Sequence, residues 1–317
     1  MAKQVEERIY GVDVAKGWLD IYAAKDGQVQ RIDNCAAAIS AWINGLDGPV
    51  RMAIEATNDF HERLVARAYA AGHKVYLIDA FRLSRYREAV GHRAKTDRHD
   101  AALLSRYLQQ EGAELRCWQP RDPRHEALWR LLKRRAKVVQ AKTRLRQSLV
   151  DLGPLDAEVQ ALINSHQQLI RRFECELLRR ARELGWQAEI TRSRSIPGIG
   201  PLTALGLVAA FHRGEFSSAD AFVAFLGLDV RVRDSGRMRG RRKLTKKGEP
   251  ELRRLLHNAA MAACRDACWQ PYYQSLRARG LSGTAALVAL ARKLVRVCFA
   301  LLKHQASFDP PHHPGLA

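Results

Sequence analysis

Residues 8–33 read RIYGVDVAKGWLDIYAAKDGQVQRID, and the fold turns on how that stretch is divided. Arg8 to Val14 alternates apolar and polar positions, as do Trp18 to Ala24 and, after the turn at Asp26-Gly27, Val29 to Asp33. Short alternating runs bounded by turn residues predict β-strands, and three so closely spaced predict an antiparallel meander. Working outward, a helix-period stretch runs from Ala36 to Leu46 and stops at Gly48-Pro49. Val50 to Ile54 then reads as a buried strand, Asp59 to Ala71 as a helix ended by Gly72, and Lys74 to Ile78 as another strand. Strand–helix–strand with short connections predicts parallel pairing through right-handed crossovers. Three meandering strands followed by αβαβα is the order of the ribonuclease-H-like fold, so residues 1–115 are expected to form an α/β domain of that type.

The character changes near Pro123. Leu131, Val138 and Leu145 recur every seven residues, as do Ile163, Ile170, Leu177 and Leu184, with Gly153-Pro154 between the two runs. The spacing predicts two long helices over 120–190, an antiparallel hairpin or a dimerising coiled coil. Residues 191–308 read as an all-α domain interrupted by one very basic loop, and 309–317, rich in proline and histidine, as a disordered tail.

Charge narrows the partner. The 317 residues carry 53 Lys+Arg against 33 Asp+Glu, a net +20, which points to a polyanion. A membrane is the weaker choice. The most apolar stretch, Leu281 to Leu302, contains Arg292, Lys293 and Arg296, and the start of the chain has no apolar segment of the secretory kind. Six scattered cysteines read as thiols of a reducing cytoplasm, with Cys264 and Cys268 as core residues rather than a metal pair.

Four acids stand out. Asp13 ends the first strand and Glu55 the fourth, and in the ribonuclease-H order those strands are neighbours. Asp97 and Asp100 open a helix at i, i+3 spacing, which puts both on one face about 5–6 Å apart. Carboxylates at strand ends and a helix start suit one or two Mg²⁺ ions, which prefer oxygen ligands and can clamp both oxygens of a phosphodiester displacement. Taken singly, Asp97 could be a helix cap and Glu55 a salt-bridge partner. His92 and His99 lie nearby, but imidazole is not the preferred ligand of Mg²⁺.

A second constellation is basic. The helix after Pro123 carries Arg134, Arg135 and Lys142 among many like charges. Ser195-Ile196-Pro197-Gly198-Ile199-Gly200-Pro201 reads as the turn of a helix-hairpin-helix element, where Gly198 and Gly200 would let backbone amides approach phosphate. Over 231–247, nine basic residues oppose one acid, Arg237, Arg239, Arg241, Arg242, Lys243, Lys246 and Lys247 among them. So dense a run of one sign suits a phosphate-tracking surface. Within it lies Ser235, a turn residue or a nucleophile whose arginine neighbours would stabilise charge on an attacked phosphate.

Gly11-Val12-Asp13-Val14-Ala15-Lys16, Glu55-Ala56-Thr57, Lys95-Thr96-Asp97-Arg98-His99-Asp100-Ala101, Ile196-Pro197-Gly198-Ile199-Gly200, Leu226-Gly227-Leu228, Ser235-Gly236 and Leu244-Thr245-Lys246-Lys247-Gly248 occur in this order. Together they resemble the DEDD-type transposases of bacterial insertion sequences, a family that includes Piv-type DNA invertases and RNA-guided bridge recombinases. The resemblance covers residues 8 to 305. It implies a RuvC-like catalytic domain, a coiled-coil linker and a helical transposase domain. It assigns the metal-binding acids to Asp13, Glu55, Asp97 and Asp100 and the nucleophile to Ser235, ahead of Ser217 and Ser218, which read as a helix cap. It further implies Mg²⁺, double-stranded DNA (element ends and target), a guide RNA, and a homodimer or tetramer whose sites combine domains of different subunits. Cytoplasmic location is expected. Two other readings stay open: a metal-dependent junction endonuclease that uses water, and a non-catalytic nucleic-acid-binding protein.

Overall fold

The computed structural model describes residues 8–56, 59–91, 97–231, 234–235, 238–239 and 242–309; at 97–99, 234–235 and 238–239 it describes the backbone alone. The chain divides after Pro120 into two compact units.

In the first unit the opening stretch forms β1 (Ile9–Val14), β2 (Trp18–Ala23) and β3 (Val29–Asp33), paired antiparallel as a meander. After α1 (Ala36–Asn44), β4 (Arg51–Glu55) returns parallel beside β1. After α2 (Glu62–Ala70), β5 (Lys74–Ile78) adds parallel to β4, giving the order β3-β2-β1-β4-β5. α3 (Ala80–Ala89) and α4 (Asp97–Glu111) follow. Strand parity divides the core into two layers. On one face Val12, Leu19, Ile21, Met52 and Ile54 pack with Ile39 and Ile43 of α1 and Leu64 and Val65 of α2. On the other, Ala53, Tyr76 and Ile78 pack with Leu83 of α3 and Leu103, Leu104 and Leu108 of α4.

The second unit is helical. α5 (Pro123–Ser148) begins behind Asp122, whose carboxylate accepts from the Arg124 amide at 2.8 Å, and Pro123 occupies the first helical position. A turn at Gly153, at φ +61°, reverses the chain into α6 (Asp156–Glu183). The two helices face each other through the heptad positions: Ile170 and Leu177 are buried, and Leu131, Val138, Leu145, Ile163 and Leu184 are half-buried. Lys142 donates to Gln167 across them at 2.6 Å. Their roots share one core with the helices that follow, through Leu128, Trp129, Leu132, Leu177 and Ala181.

That core continues through α7 (Gln187–Arg194), α8 (Pro201–Phe211) and α9 (Ala219–Phe225). α10 (Pro250–Ala263), α11 (Gln270–Ala278) and α12 (Gly283–His304) complete it. Ser218 caps α9, accepting from the Ala221 amide at 3.1 Å. The basic stretch between α9 and α10 contains four two-residue strands, β6 (Val230–Arg231), β7 (Asp234–Ser235), β8 (Met238–Arg239) and β9 (Lys243–Leu244), where the sequence suggested only a loop. The architecture is thus mixed α/β, one five-stranded sheet with twelve α-helices among the described residues. Among those residues no helix is long and apolar enough to cross a membrane.

Candidate active site

The first unit gathers its acids by strand register and one close helix–strand contact. Val12 of β1 lies opposite Ile54 of β4, so Asp13 and Glu55 occupy the next pair of positions on neighbouring parallel strands. Both are on the face opposite Val12 and Ile54, the face that α4 covers. Gly11 shares it. A β-carbon on Gly11 would stand 1.9 Å from the carbonyl oxygen of Ala101 and 2.5 Å from the amide nitrogen of Ser105. Only glycine lets α4 rest its backbone on β1 there.

The direction of α4 follows from its far end. A β-carbon on Gly112 would stand 2.4 Å from a terminal guanidinium nitrogen of Arg51, and Arg51 pairs with Ile9 at the start of β1. α4 therefore ends where β1 and β4 begin, and starts where they end. Asp97 is its first residue; the Asp97 side chain lies outside the described residues. Asp100 is one turn on, 5% exposed, and accepts from Arg87 of α3 at 2.7 Å. Asp13, Glu55 and Asp100, from three separated segments, thus come to one edge and one face of the sheet, at a helix N-terminus that favours an anion.

These donors are all carboxylate oxygens, the chemistry of a hard cation such as Mg²⁺ rather than of zinc. Among the described residues no three His, Cys, Asp or Glu side chains stand close enough together to hold a metal ion, and Arg87 provides the positive charge at Asp100. Cys264 and Cys268 pack against the helical core, and the Cys264 thiol donates to the Met261 carbonyl at 3.3 Å.

The structure adds a residue that the sequence reading passed over. Asp20 of β2 lies directly opposite Asp13, is 2% exposed, and accepts two hydrogen bonds from Arg31 of β3 at 2.8 and 2.7 Å. Carboxylates facing each other across a ladder repel, and the bidentate guanidinium offsets that repulsion. The available signal was an acid at the centre of the apolar run Trp18-Leu19-Asp20-Ile21-Tyr22.

In the second unit the basic residues separate into two groups. Arg134 is exposed on α5, and Lys142 is half-buried against Gln167. Arg135 turns inward and is unavailable to phosphate. It donates to Glu174 of α6 at 2.5 Å and to the buried Glu251 of α10 at 2.9 Å, and Arg254 also reaches Glu251 at 2.7 Å. Its position follows from helical spacing, since Leu128, Leu132 and Arg135 fall on one face. Breaking a buried ion network leaves an uncompensated charge, so Glu251→Ala is expected to destabilise this unit by about 3–5 kcal/mol. Denaturant unfolding of the variant checks it.

Gly198 also serves packing. At φ +93°, its missing β-carbon would lie 2.6 Å from the Ala263 β-carbon and 2.8 Å from the Ala259 carbonyl oxygen of α10. Gly200, the N-cap of α8, faces open space.

The basic stretch rises from a rigid base. A β-carbon on Gly227 (φ +70°) would meet the Gly248 amide at 2.7 Å, and one on Gly248 would meet the Leu226 carbonyl carbon at 2.4 Å. The Thr245 amide donates to the Asp229 carbonyl at 3.0 Å, and β6 pairs with β9. Arg242, Lys243, Lys246 and Lys247 are exposed at this base. Ser235 lies on β7, opposite Met238 of β8. The side chains of Ser235 and Arg239 lie outside the described residues, as do Arg237 and Arg241 entirely.

Comparison with known proteins places both units. Residues 10–152 match a transposase family model of the IS110 DEDD type, and residues 191–274 match the Transposase IS116/IS110/IS902 family. The chain is 28% identical to the pilin gene-inverting protein of Moraxella bovis over 96% of its own length and 98% of the relative's. It is 27% identical to the Moraxella lacunata protein of the same name over the same shares. It is 28% identical to the transposase for insertion sequence element IS1111A of Coxiella burnetii over 68% of each chain. With two transposase models matched in order and relatives aligned end to end, the chain belongs to the DEDD-type insertion-sequence transposase and DNA invertase family, enzymes of DNA recombination.

Proposed function

We propose that this transposase is a site-specific DNA recombinase that cuts and rejoins strands through a serine-linked intermediate, its first unit acting as a RuvC-like catalytic domain. The observation that carries the reading is the placement of Asp13, Glu55 and Asp100 on one face of the sheet, at the end of β1 and β4 where α4 begins. With Asp97 they would hold one or two Mg²⁺ ions. Bound there, Mg²⁺ would supply charge neutralisation at the scissile phosphate and a lowered pKa for a nearby hydroxyl. The Ser235 hydroxyl gives up its proton and attacks phosphorus; a phosphoserine bond forms as the phosphate–sugar bond breaks, and the freed sugar hydroxyl leaves protonated. Attack by the hydroxyl of another strand reverses the step, so the bond energy is conserved and no nucleotide cofactor is consumed.

The exposed bases Arg134, Arg242, Lys243, Lys246 and Lys247, with Arg237, Arg239 and Arg241, grip double-stranded DNA. An element-encoded guide RNA pairs with element ends and target, and the Gly200 turn offers backbone amides to phosphate in helix-hairpin-helix fashion. The enzyme works in the cytoplasm as a homodimer or tetramer, one copy's serine completing another's acids. Inversion of a pilin gene, named for the Moraxella relatives, is a rearrangement of this class.

A second reading has one observation in its favour: all four acids belong to the first unit, as a junction endonuclease using water would require. Denaturing gels of the protein with its element ends and flanking RNA separate the two. A covalent adduct that Ser235→Ala removes is the expected result. Cleavage that persists undiminished in Ser235→Ala, with no adduct, would establish the hydrolytic reading.

A further inference from the structure

The acid-bearing face of the sheet is only partly covered. α4 packs on β1, β4 and the middle of β2, where Asp20 is 2% exposed, and Leu83 of α3 packs with Ile78 of β5, while the start of β2 and β3 leave Trp18 41% exposed and the Arg31 side chain 54% exposed. Trp18, Asp20 and Tyr22 alternate along β2, so all three share the face of Asp13. Between α4 and β2 lies a cavity of about 350 Å³, within the range of small-ligand sites, lined among others by Tyr22, Ser105, Arg106, Gln109 and Gln110. No carboxylate lines it. The Ser105 hydroxyl there is 1% exposed and has no hydrogen-bond partner among the described residues. Tyr22 is paired with Gly11 just as Asp20 is with Asp13, which sets the cavity one same-face step, about 7 Å, from the acids.

We propose that the open margin of this face beside α4 is a track for an unpaired stretch of the DNA strand leading into the acids, with a nucleotide subsite in the α4–β2 cavity. The inference rests on the recombinase reading and supplies a substrate feature that reading lacks. Aromatic faces hold bases without sequence choice, and arginine binds the intervening phosphate. Trp18, at the acid end of β2, stacks one base on the ring face away from Arg31, whose guanidinium lies 5.0 Å from the ring centre. Further along, Arg106 takes a phosphate, Tyr22 flanks the base, and the amides of Gln109 and Gln110 reach its polar edge. A duplex offers no free base face to Trp18 and Tyr22, so the track selects a strand already melted or displaced.

The test is ultraviolet crosslinking of the full chain, in EDTA, to a single-stranded oligodeoxynucleotide carrying 5-iododeoxyuridine, with the adducted peptides identified by mass spectrometry. The expected adduct falls on the peptide bearing Trp18 and Tyr22. Its yield should drop about tenfold in Tyr22→Leu, the loss of one stacked base. Arg106→Gln, at an exposed helix position, should lower the salt-dependence slope of single-strand binding by about 0.7. Adducts confined to α5 and the 231–247 stretch, or a yield indifferent to both substitutions, would overturn the proposal. So would crosslinking of the matching oligoribonucleotide but not of DNA. Because no metal is present, a Trp18–Tyr22 adduct without strand cleavage in a Mg²⁺ assay would fault the recombinase reading alone. Cleavage without the adduct would fault the track alone.

Discussion

Asp13→Asn is expected to lower strand cleavage by roughly 10²- to 10³-fold while leaving the fold and DNA binding intact. The scale is that of losing one preorganised electrostatic group aimed at developing charge. The substitution keeps shape and volume, and the backbone of β1 is held by ladders to β2 and β4 on both sides. On the proposed reading, affinity for DNA would come from the exposed lysines and arginines of the second unit, which the change does not touch. Gel-shift binding and single-turnover cleavage measured on one preparation check it. Loss of both together would mean that Asp13 is structural; retention of both would remove it from the chemistry.

Gly11→Ala is expected to destabilise the first unit strongly. The added methyl would fall 1.9 Å from one backbone atom and 2.5 Å from another, so no side chain can swing aside and α4 must lift off β1. Overpacking of this kind costs about 3 kcal/mol. For a domain of this size that corresponds to a fall in melting temperature of roughly 12–20 °C. The same displacement moves the start of α4, and Asp100 with it, away from Asp13 and Glu55, so cleavage should fall even below the new melting point. Circular dichroism melts paired with cleavage rates at low temperature test both parts; an unchanged melt would contradict the α4–β1 contact.

Most of the first unit could be read before any coordinates, for identifiable physical reasons. Alternation in 8–33 marked the meander, and the short β4–α2–β5 connection left parallel pairing as the one simple solution, which together bring Asp13 beside Glu55. Asp100 needed more, because its place depends on which way α4 crosses β1, a matter decided by Gly11 and by Gly112 against Arg51. Asp20 was not legible as a partner of Arg31, since that pair forms only once the hairpin closes across eleven residues. A count of charges along α5 groups Arg135 with the phosphate-facing bases, whereas the leucines at 128 and 132 on its face place it inward. The Gly198 turn suggests phosphate binding by its motif, but its neighbour is α10, a contact distant in sequence. For Asp100, Asp20 and Gly198 the missing information was a contact between separated segments, which local pattern does not encode.

On the proposed reading, Asp13, Glu55, Asp97 and Asp100 hold a divalent cation where β1 and β4 end and α4 begins. Fe²⁺ substituted for Mg²⁺, with ascorbate and peroxide, generates hydroxyl radicals that cut the polypeptide next to the bound ion. Cuts are expected to cluster near residues 13, 55 and 97–100 in the wild-type protein, to be suppressed by excess Mg²⁺ and to be absent in Asp13→Asn. Cuts elsewhere, or the same pattern in Asp13→Asn, would contradict it.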